Sequence, residues 1–458
     1  MVKNKKGSNI LSELIDFKKN SLFAATFINF VTIILLFLFM VSKGVFITDI
    51  LLTLFAISES IILLCSIVKM NIPVALCCCV LINTGICIQS IIDIENSSKI
   101  LNESILYLTL GIIAAVIYFL IASKSSFLTE NKKLIYFFCG FIAFITVAMT
   151  VLLLLSKEHN GAHSWLKIGG FAIQLTEIFK PMFMVSMTVI YSSVLENKEK
   201  YLISAVLTAL FVVCLFSVNE LGTALIIGLS FLVLFYLLCD DIRYILLLVL
   251  VGVVGIIAVS LICWISNLIV SEYAINGNGF GKVIVLLSKV FTKVKGRFTD
   301  WLSPDPFSQT GIAKKAIMIG GLFGADLEIT IPVQKYDYFL SAIILRGGII
   351  MGFIIVALYS YIFVHSIVKL ADHDNNFMEL SALSSIIIFI SSAIIPIFVN
   401  TLFIPAAGVV LPFLALGAAS NTINTLFIAI VLFNGRKGHL SNTKLIHVDL
   451  EREKESEK

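Results

Sequence analysis

Gly161-Ala162-His163-Ser164-Trp165-Leu166-Lys167-Ile168-Gly169 leads shortly into Gln174-Leu175-Thr176-Glu177-Ile178-Phe179-Lys180. A small, polar and aromatic loop is followed at once by an apolar helix that opens on a glutamate and a lysine. Glu177 and Lys180 stand three residues apart, which puts both on one face of that helix. Charges at a membrane edge are costly unless they pair or face a polar cavity. The run therefore predicts a polar chamber at the outer mouth of a bundle of membrane helices.

The rest of the chain supplies the bundle. Its 458 residues are 59% hydrophobic and 14% charged, with a mean hydropathy of +1.03. A soluble protein carries about a quarter charged residues. Apolar spans of about 20 residues recur along almost the whole length, the mark of an all-α, polytopic membrane protein. A soluble α/β enzyme is excluded, and a membrane β-barrel needs short alternating strands instead of continuous apolar runs. Spans are read near 22–42, 46–68, 72–92, 104–122, 134–155, 177–195, 202–218, 221–239, 243–266, 338–368, 378–402 and 406–434, about twelve in all.

Orientation follows from Lys and Arg in the short connections. With the N-terminus inside, the cytoplasmic segments hold five N-terminal lysines, Lys69, Lys124, Lys132, Lys133, Lys198, Lys200, Arg243 and Lys369. The short outer loops hold Lys43, Lys99, Lys157 and Lys167. Residues 1–21 form a cytoplasmic segment, and no small-residue cleavage site follows the first span. The charged tail 435–458 reads as disordered inside the cell. Segment 267–337 is the sizeable loop outside. Within it, 283–298 mixes Ile, Val, Leu and Phe with Lys289, Lys293, Lys295 and Arg297. That pattern fits an amphipathic helix on the membrane surface or a plain surface helix. Gly320-Gly321-Leu322-Phe323-Gly324 reads as a flexible segment, and without a following phosphate-loop lysine it makes no nucleotide site.

The nine cysteines fall in or beside apolar spans and form no disulfide framework. The triplet Cys77-Cys78-Cys79 reads as packing. The six histidines are scattered, and the one HxxxH pair, His159 and His163, has no third His or Cys beside it in sequence, so no zinc site is expected.

Few polar residues remain near the outer face. Asp337 precedes the helix after the long loop. It reads either as a helix cap or as a carboxylate at the membrane boundary able to act as a general base. Glu177 and Lys180 either neutralise each other or bind an anionic headgroup, with Lys180 on phosphate. Glu220 reads as a cap or as chamber lining. Arg346 lies well inside a span and needs an interior partner. Pro405 and Pro412 flank the start of the last span, consistent with a broken helix lining a cavity or with a re-entrant turn.

These stretches together resemble the SEDS family of shape, elongation, division and sporulation proteins, the FtsW, RodA and SpoVE group. Gly161, Ala162, Trp165, Gly169, Gln174, Glu177 and Lys180 match the family's GARRWI…G…QPSE..K segment. Asn219 to Ala224 is similar to its QPDLGTA, and Trp301-Leu302-Ser303-Pro304-Asp305-Pro306 to its FLNP..DP. Gly320 to Gly324 is similar to GSGGLFG, and Val410 to Ser420 to PLPFLSYGGSS. Pro332-Val333-Gln334-Lys335-Tyr336-Asp337 stands where the family has PEAHTD. Two features depart from the pattern. Five spans precede the GAHSW loop where the family has three. The family's EELG is replaced by Leu345-Arg346-Gly347-Gly348, which lacks both acids.

The resemblance implies a SEDS-like bundle, with five N-terminal spans over 22–155 and the family core over 156–434. It implies a glycosyltransferase of the bacterial cytoplasmic membrane that polymerises lipid II, the undecaprenyl-pyrophosphate-linked disaccharide-pentapeptide, in an inverting reaction. Asp337 matches the family's presumed catalytic residue. Lys180, Glu177, Trp165, Gln174, Glu220, Pro412 and Ser420 are the substrate-side candidates. A divalent cation such as Mg or Mn is a candidate cofactor, the metal site being unassigned. A class B penicillin-binding protein is the expected partner, beside membrane lipids, and no nucleic acid. Two rivals stay open: a transporter of a lipid-linked precursor, and a non-catalytic scaffold of a wall-synthesis complex.

Overall fold

A computed structural model describes residues 5–156, 164–168, 171–239, 241–273, 280–325, 329–371 and 376–434. Gly161, Ala162, Gly169 and the charged tail lie outside the described residues. The order is α1 Lys5–Ser42, α2 Thr48–Ile67, α3 Ile72–Ile92, α4 Ser97–Ala122, α5 Ser126–Thr129 and α6 Lys132–Leu155. A hairpin of β1 Trp165–Ile168 and β2 Phe171–Gln174 and a 3-10 turn, Leu175–Ile178, lead into α7 Phe179–Tyr191. Then come α8 Asn197–Ser217, α9 Leu221–Leu238, α10 Ile242–Tyr273, α11 Phe280–Leu302, α12 Gln309–Gly320, α13 Phe339–Ala371 and α14 Phe377–Asn400. The last helix, α15, covers Ala418–Asn434.

Among the described residues, nine helices are long and apolar enough to cross a membrane, so the chain is a helical multi-pass membrane protein. The sequence reading of about twelve spans counted three more helices. Of these, α7 has 13 residues because its start is taken up by the 3-10 turn that carries Glu177. α15 is shortened because residues 405–417 are irregular, as the two prolines there require. α10 runs for 32 residues. The ends are set by local chemistry. Asn131, Ser308 and Asn376 cap α6, α12 and α14 with side-chain oxygens. Glu196 and Glu199 form a capping box on α8.

The chain falls into two compact units. The first holds residues 1–115, 352–374 and 413–458, and the second 116–351 and 375–412. In the first, α3 is the central helix: 72% of its most apolar stretch is buried, against 17% for α1. α1 and α2 pack on it, and Asn29 Nδ2 donates to Ser58 Oγ and Glu59 Oε1, each at 2.9 Å. Gly85 admits the backbone of Phe413 and Leu414 where a Cβ would collide, and the Gln89 amide donates to the Leu414 carbonyl.

In the second unit the centre is α14, 78% buried over its most apolar stretch. It packs on α7 and α9, which in turn meet α8. Its buried Ser381, Ser384, Ser385, Ser391 and Ser392 are small enough for neighbouring backbones to approach closely. α10 and α11 form a pair beside this bundle.

Candidate active site

The candidate site lies in the second unit and is assembled from four pieces of chain. α11 is amphipathic, and Lys293, Arg297 and Asp300 recur on one face at i, i+4 and i+7. The helix is fastened at two points. Lys293 Nζ donates to the Asn219 carbonyl at 3.0 Å, and Trp301 Nε1 donates to the Leu402 carbonyl at 2.8 Å. α12 brings Thr310, whose hydroxyl meets the Tyr338 hydroxyl at 3.0 Å. The turn 332–338 then delivers Asp337, with Val333 held at φ 57, a costly angle for a β-branched residue.

Asn400, at the end of α14 and fully buried, holds that turn in place. Its Nδ2 donates to the Asp337 carbonyl and to the Pro396 carbonyl, both at 2.8 Å. Its Oδ1 accepts from the Ser341 N–H at 2.9 Å and from the Ser341 hydroxyl at 2.8 Å. One buried amide thus ties the backbone of Asp337 and the first turn of α13 to α14. Among the described residues, the Asp337 carboxylate accepts no capping hydrogen bond. It faces a cavity instead.

That cavity measures about 360 Å³ and is lined by Thr292, Lys293, Arg297, Asp300, Gln309, Thr310, Asp337 and Tyr338, with Val399, Ala406 and Val409 as its apolar wall. Its volume suits a sugar-sized group. Gly408 lies beside the Arg297 guanidinium in a left-handed conformation, φ 72, that favours glycine. Burial raises the pKa of Asp337 above the ordinary carboxylate value, and the Arg297 charge opposes that rise. Burial also lowers the pKa of Arg297, against the pull of Asp337 and Glu220.

The other sequence candidates divide. Glu177 and Lys180 form a buried ion pair, Nζ to Oε2 at 2.7 Å, with Lys180 only 1% exposed. Glu220 makes no side-chain cap for α9. Its pKa is raised chiefly by burial and further by Glu177, while the Ser164 hydroxyl, Lys293 and Arg297 pull it down. Charge therefore runs from Lys180 through Glu177 and Glu220 to Arg297 and Asp337. Trp165 and Gln174 face each other in register across the β1–β2 hairpin. Pro412 is buried within the irregular stretch. Ser420 belongs to the first unit, near the start of α15, and is 4% exposed. Arg346 Nη1 donates to the Ala342 carbonyl at 3.2 Å.

Arg297, Lys293 and Asn400 were not among the sequence candidates. The spacing of Lys293, Arg297 and Asp300 on one helix face was a legible signal for the first two. Asn400 had none, because its role depends on the meeting of α13 and α14. Among the described residues no cluster of three or more His, Cys, Asp or Glu side chains is placed to hold a metal. The cavity's carboxylates are Asp300 and Asp337, and Lys293 and Arg297 stand with them.

The FtsW/RodA/SpoVE family, described as cell cycle protein, matches residues 67–437. The chain is 25% identical over 336 residues to the probable peptidoglycan glycosyltransferase FtsW of Caulobacter vibrioides, covering 71% of this chain and 78% of that protein. It is 24% identical over 364 residues to the peptidoglycan glycosyltransferase RodA of Mycobacterium bovis, covering 72% of this chain and 69% of the relative. Among solved structures it resembles a chain of a peptidoglycan synthase complex that coordinates polymerization and crosslinking, with TM-score 0.57, 16% identity, and coverage of 81% and 98%. The rod shape determining protein RodA of Thermus thermophilus follows with TM-score 0.51, 15% identity, and coverage of 80% and 97%. The match begins at the end of α2, so α1 and nearly all of α2 precede it. With a family match over most of its length and the same fold, the chain belongs to the FtsW/RodA/SpoVE family.

Proposed function

We propose that the chain is a peptidoglycan glycosyltransferase that polymerises lipid II, with Asp337 as its general base. The observation that carries this reading is the placement of Asp337 in a polar cavity opposite Arg297, its backbone fixed by Asn400 and its carboxylate left out of helix capping. The acceptor's sugar hydroxyl attacks the donor's anomeric carbon and gives its proton to Asp337. A new glycosidic C–O bond forms, the C–O bond to the pyrophosphate breaks, and the lipid pyrophosphate leaves. Arg297 and Lys293 offset the charge on that leaving group. Asp300 and Asp337 are the carboxylates of the cavity that would hold a divalent cation, which would add positive charge beside the pyrophosphate.

The reading shifts the phosphate-binding role from Lys180 to the α11 cations. Lys180 is enclosed and paired, so a ligand reaches it only by breaking the Glu177 bond. Glu177, Lys180 and Glu220 then act as the charged support behind Arg297. Both termini are assigned to the cytoplasmic side and the α11–α12 loop to the outer face, from the distribution of Lys and Arg. A transpeptidase partner is supported by the likeness to a synthase complex that couples polymerization to crosslinking.

The test is labelled lipid II given to the purified chain in proteoliposomes, alone and with a cognate class B penicillin-binding protein. Glycan polymer is the expected product. Translocation without polymer would support the transporter reading, and neither outcome in both conditions would support the scaffold.

A further inference from the structure

α12 ends in Gly320-Gly321-Leu322-Phe323-Gly324, and this turn does not lie free on the surface. It is bonded, backbone to backbone, to α13 at the point where α13 breaks. Gly348 there has φ 78 and ψ 175. The break releases N–H groups, and the turn takes them: Ile349 N donates to the Gly321 carbonyl at 2.9 Å and Ile350 N to the Leu322 carbonyl at 3.4 Å. In return Ala325 N donates to the Leu345 carbonyl at 2.8 Å. The contact is too close for side chains. A Cβ on Gly320, Gly324 or Gly348 would collide with the carbonyls of Ile344, Arg346 and Leu322 respectively.

The depth of this contact follows from α14. That helix has 24 residues, about 36 Å at 1.5 Å per residue, enough to cross a hydrocarbon core of about 30 Å. Its end, Asn400, is bonded to Ser341. Ile349 lies a further 12 Å or so along α13 from Ser341, at that same rise, within the candidate span Phe339–Leu370. The turn bonded to Ile349 and Ile350 therefore lies below the level of Asn400, inside the membrane. Its outward face is apolar: Met318 is 68%, Leu322 61% and Phe323 80% exposed. That face continues onto exposed Ile350 of α13. The root of α12 carries exposed Lys314 and Lys315 instead.

We infer that residues 309–325 form a re-entrant arm that enters the membrane beside α13, with Met318, Leu322 and Phe323 against lipid acyl chains and Lys314 and Lys315 at headgroup level. Irregular backbone survives in hydrocarbon only where its polar groups are satisfied by protein, and the broken α13 satisfies them here. The root of the same arm carries Gln309 and Thr310, which line the cavity. The arm thereby fixes the height of the cavity above the acyl chains.

The test is Phe323→Trp in the full chain, reconstituted in phosphatidylcholine vesicles with ordinary or acyl-brominated lipids. The added emission is read as the difference from the parent protein, whose three tryptophans lie outside the arm. Phe307→Trp, ahead of α12 where the Lys315 ammonium lies over the native ring, is the headgroup-level control. We expect the emission added by Phe323→Trp to be blue-shifted, to be mostly lost in brominated lipid and to resist aqueous iodide. The emission added by Phe307→Trp should be quenched more by iodide and less by brominated lipid than that added at Phe323. Leu322→Trp repeats the measurement should the first variant fail to accumulate. Iodide quenching at both tip positions would overturn the arm. So would a tip shielded from both quenchers, which would mean that protein covers it.

Discussion

At the scale of single residues the proposed chemistry rests on Asp337 and Arg297, which line one cavity. Burial raises the Asp337 pKa and Arg297 restrains it. The sign of the linkage follows: the folded state holds this proton more tightly than the unfolded chain, so ionising Asp337 costs stability as pH rises through its raised pKa. Activity runs the other way, because a base must be ionised to accept a proton. Arg297→Gln removes the restraining charge and should move the acid limb of the kcat/KM profile to higher pH. It should also lower kcat by about 10²–10³-fold, the usual cost of losing one group that stabilises developing negative charge. An acid limb unmoved in that variant would show that Arg297 does not face the titrating group. The sequence marked Asp337 through the surviving aspartate of a worn motif. It left cap and base open, and the place of the carboxylate on the cavity supports the proposed base.

At the scale of elements, α7 and α9 carry the charged support. Removing one partner of a buried ion pair typically costs about 3–5 kcal/mol, because the other is left charged and dry. Lys180→Met should therefore lower the melting temperature in detergent sharply, and Glu177→Gln added to it should recover most of the loss. A variant that melts normally but binds lipid-linked substrate poorly would return Lys180 to the ligand role. The apolar spans were legible because a membrane helix declares itself by length and hydropathy: the span read at 72–92 is α3 to the residue. The last span was legible only in part. Its prolines announced a break, but not that helix would begin as late as Ala418. The pairing of the α12 turn with the break in α13 was not legible. Leu345-Arg346-Gly347-Gly348 reads in the sequence only as a motif without its two acids, whereas in the structure the backbone of Leu322 and Phe323 lies against Gly348.

The scale of the whole molecule joins topology to function. The cavity can meet a lipid-linked donor only if the α11–α12 loop faces outward. Phe307→Cys should react with a membrane-impermeant maleimide in intact cells, and Lys124→Cys, in the turn after α4, should react only after permeabilisation. Eight of the nine native cysteines are buried and Cys239 is half-buried, so background labelling stays low. The reverse pattern would put the cavity on the wrong face. The family match starts at residue 67, at the end of α2. The most direct measurement of the central claim is glycan polymerisation from lipid II by Asp337→Asn beside the parent protein in proteoliposomes. The variant should insert and melt as the parent does, since the carboxylate caps no helix, and its rate should fall by about 10²–10⁴-fold, the usual cost of losing a general base. Polymerisation near the parental rate would contradict the account.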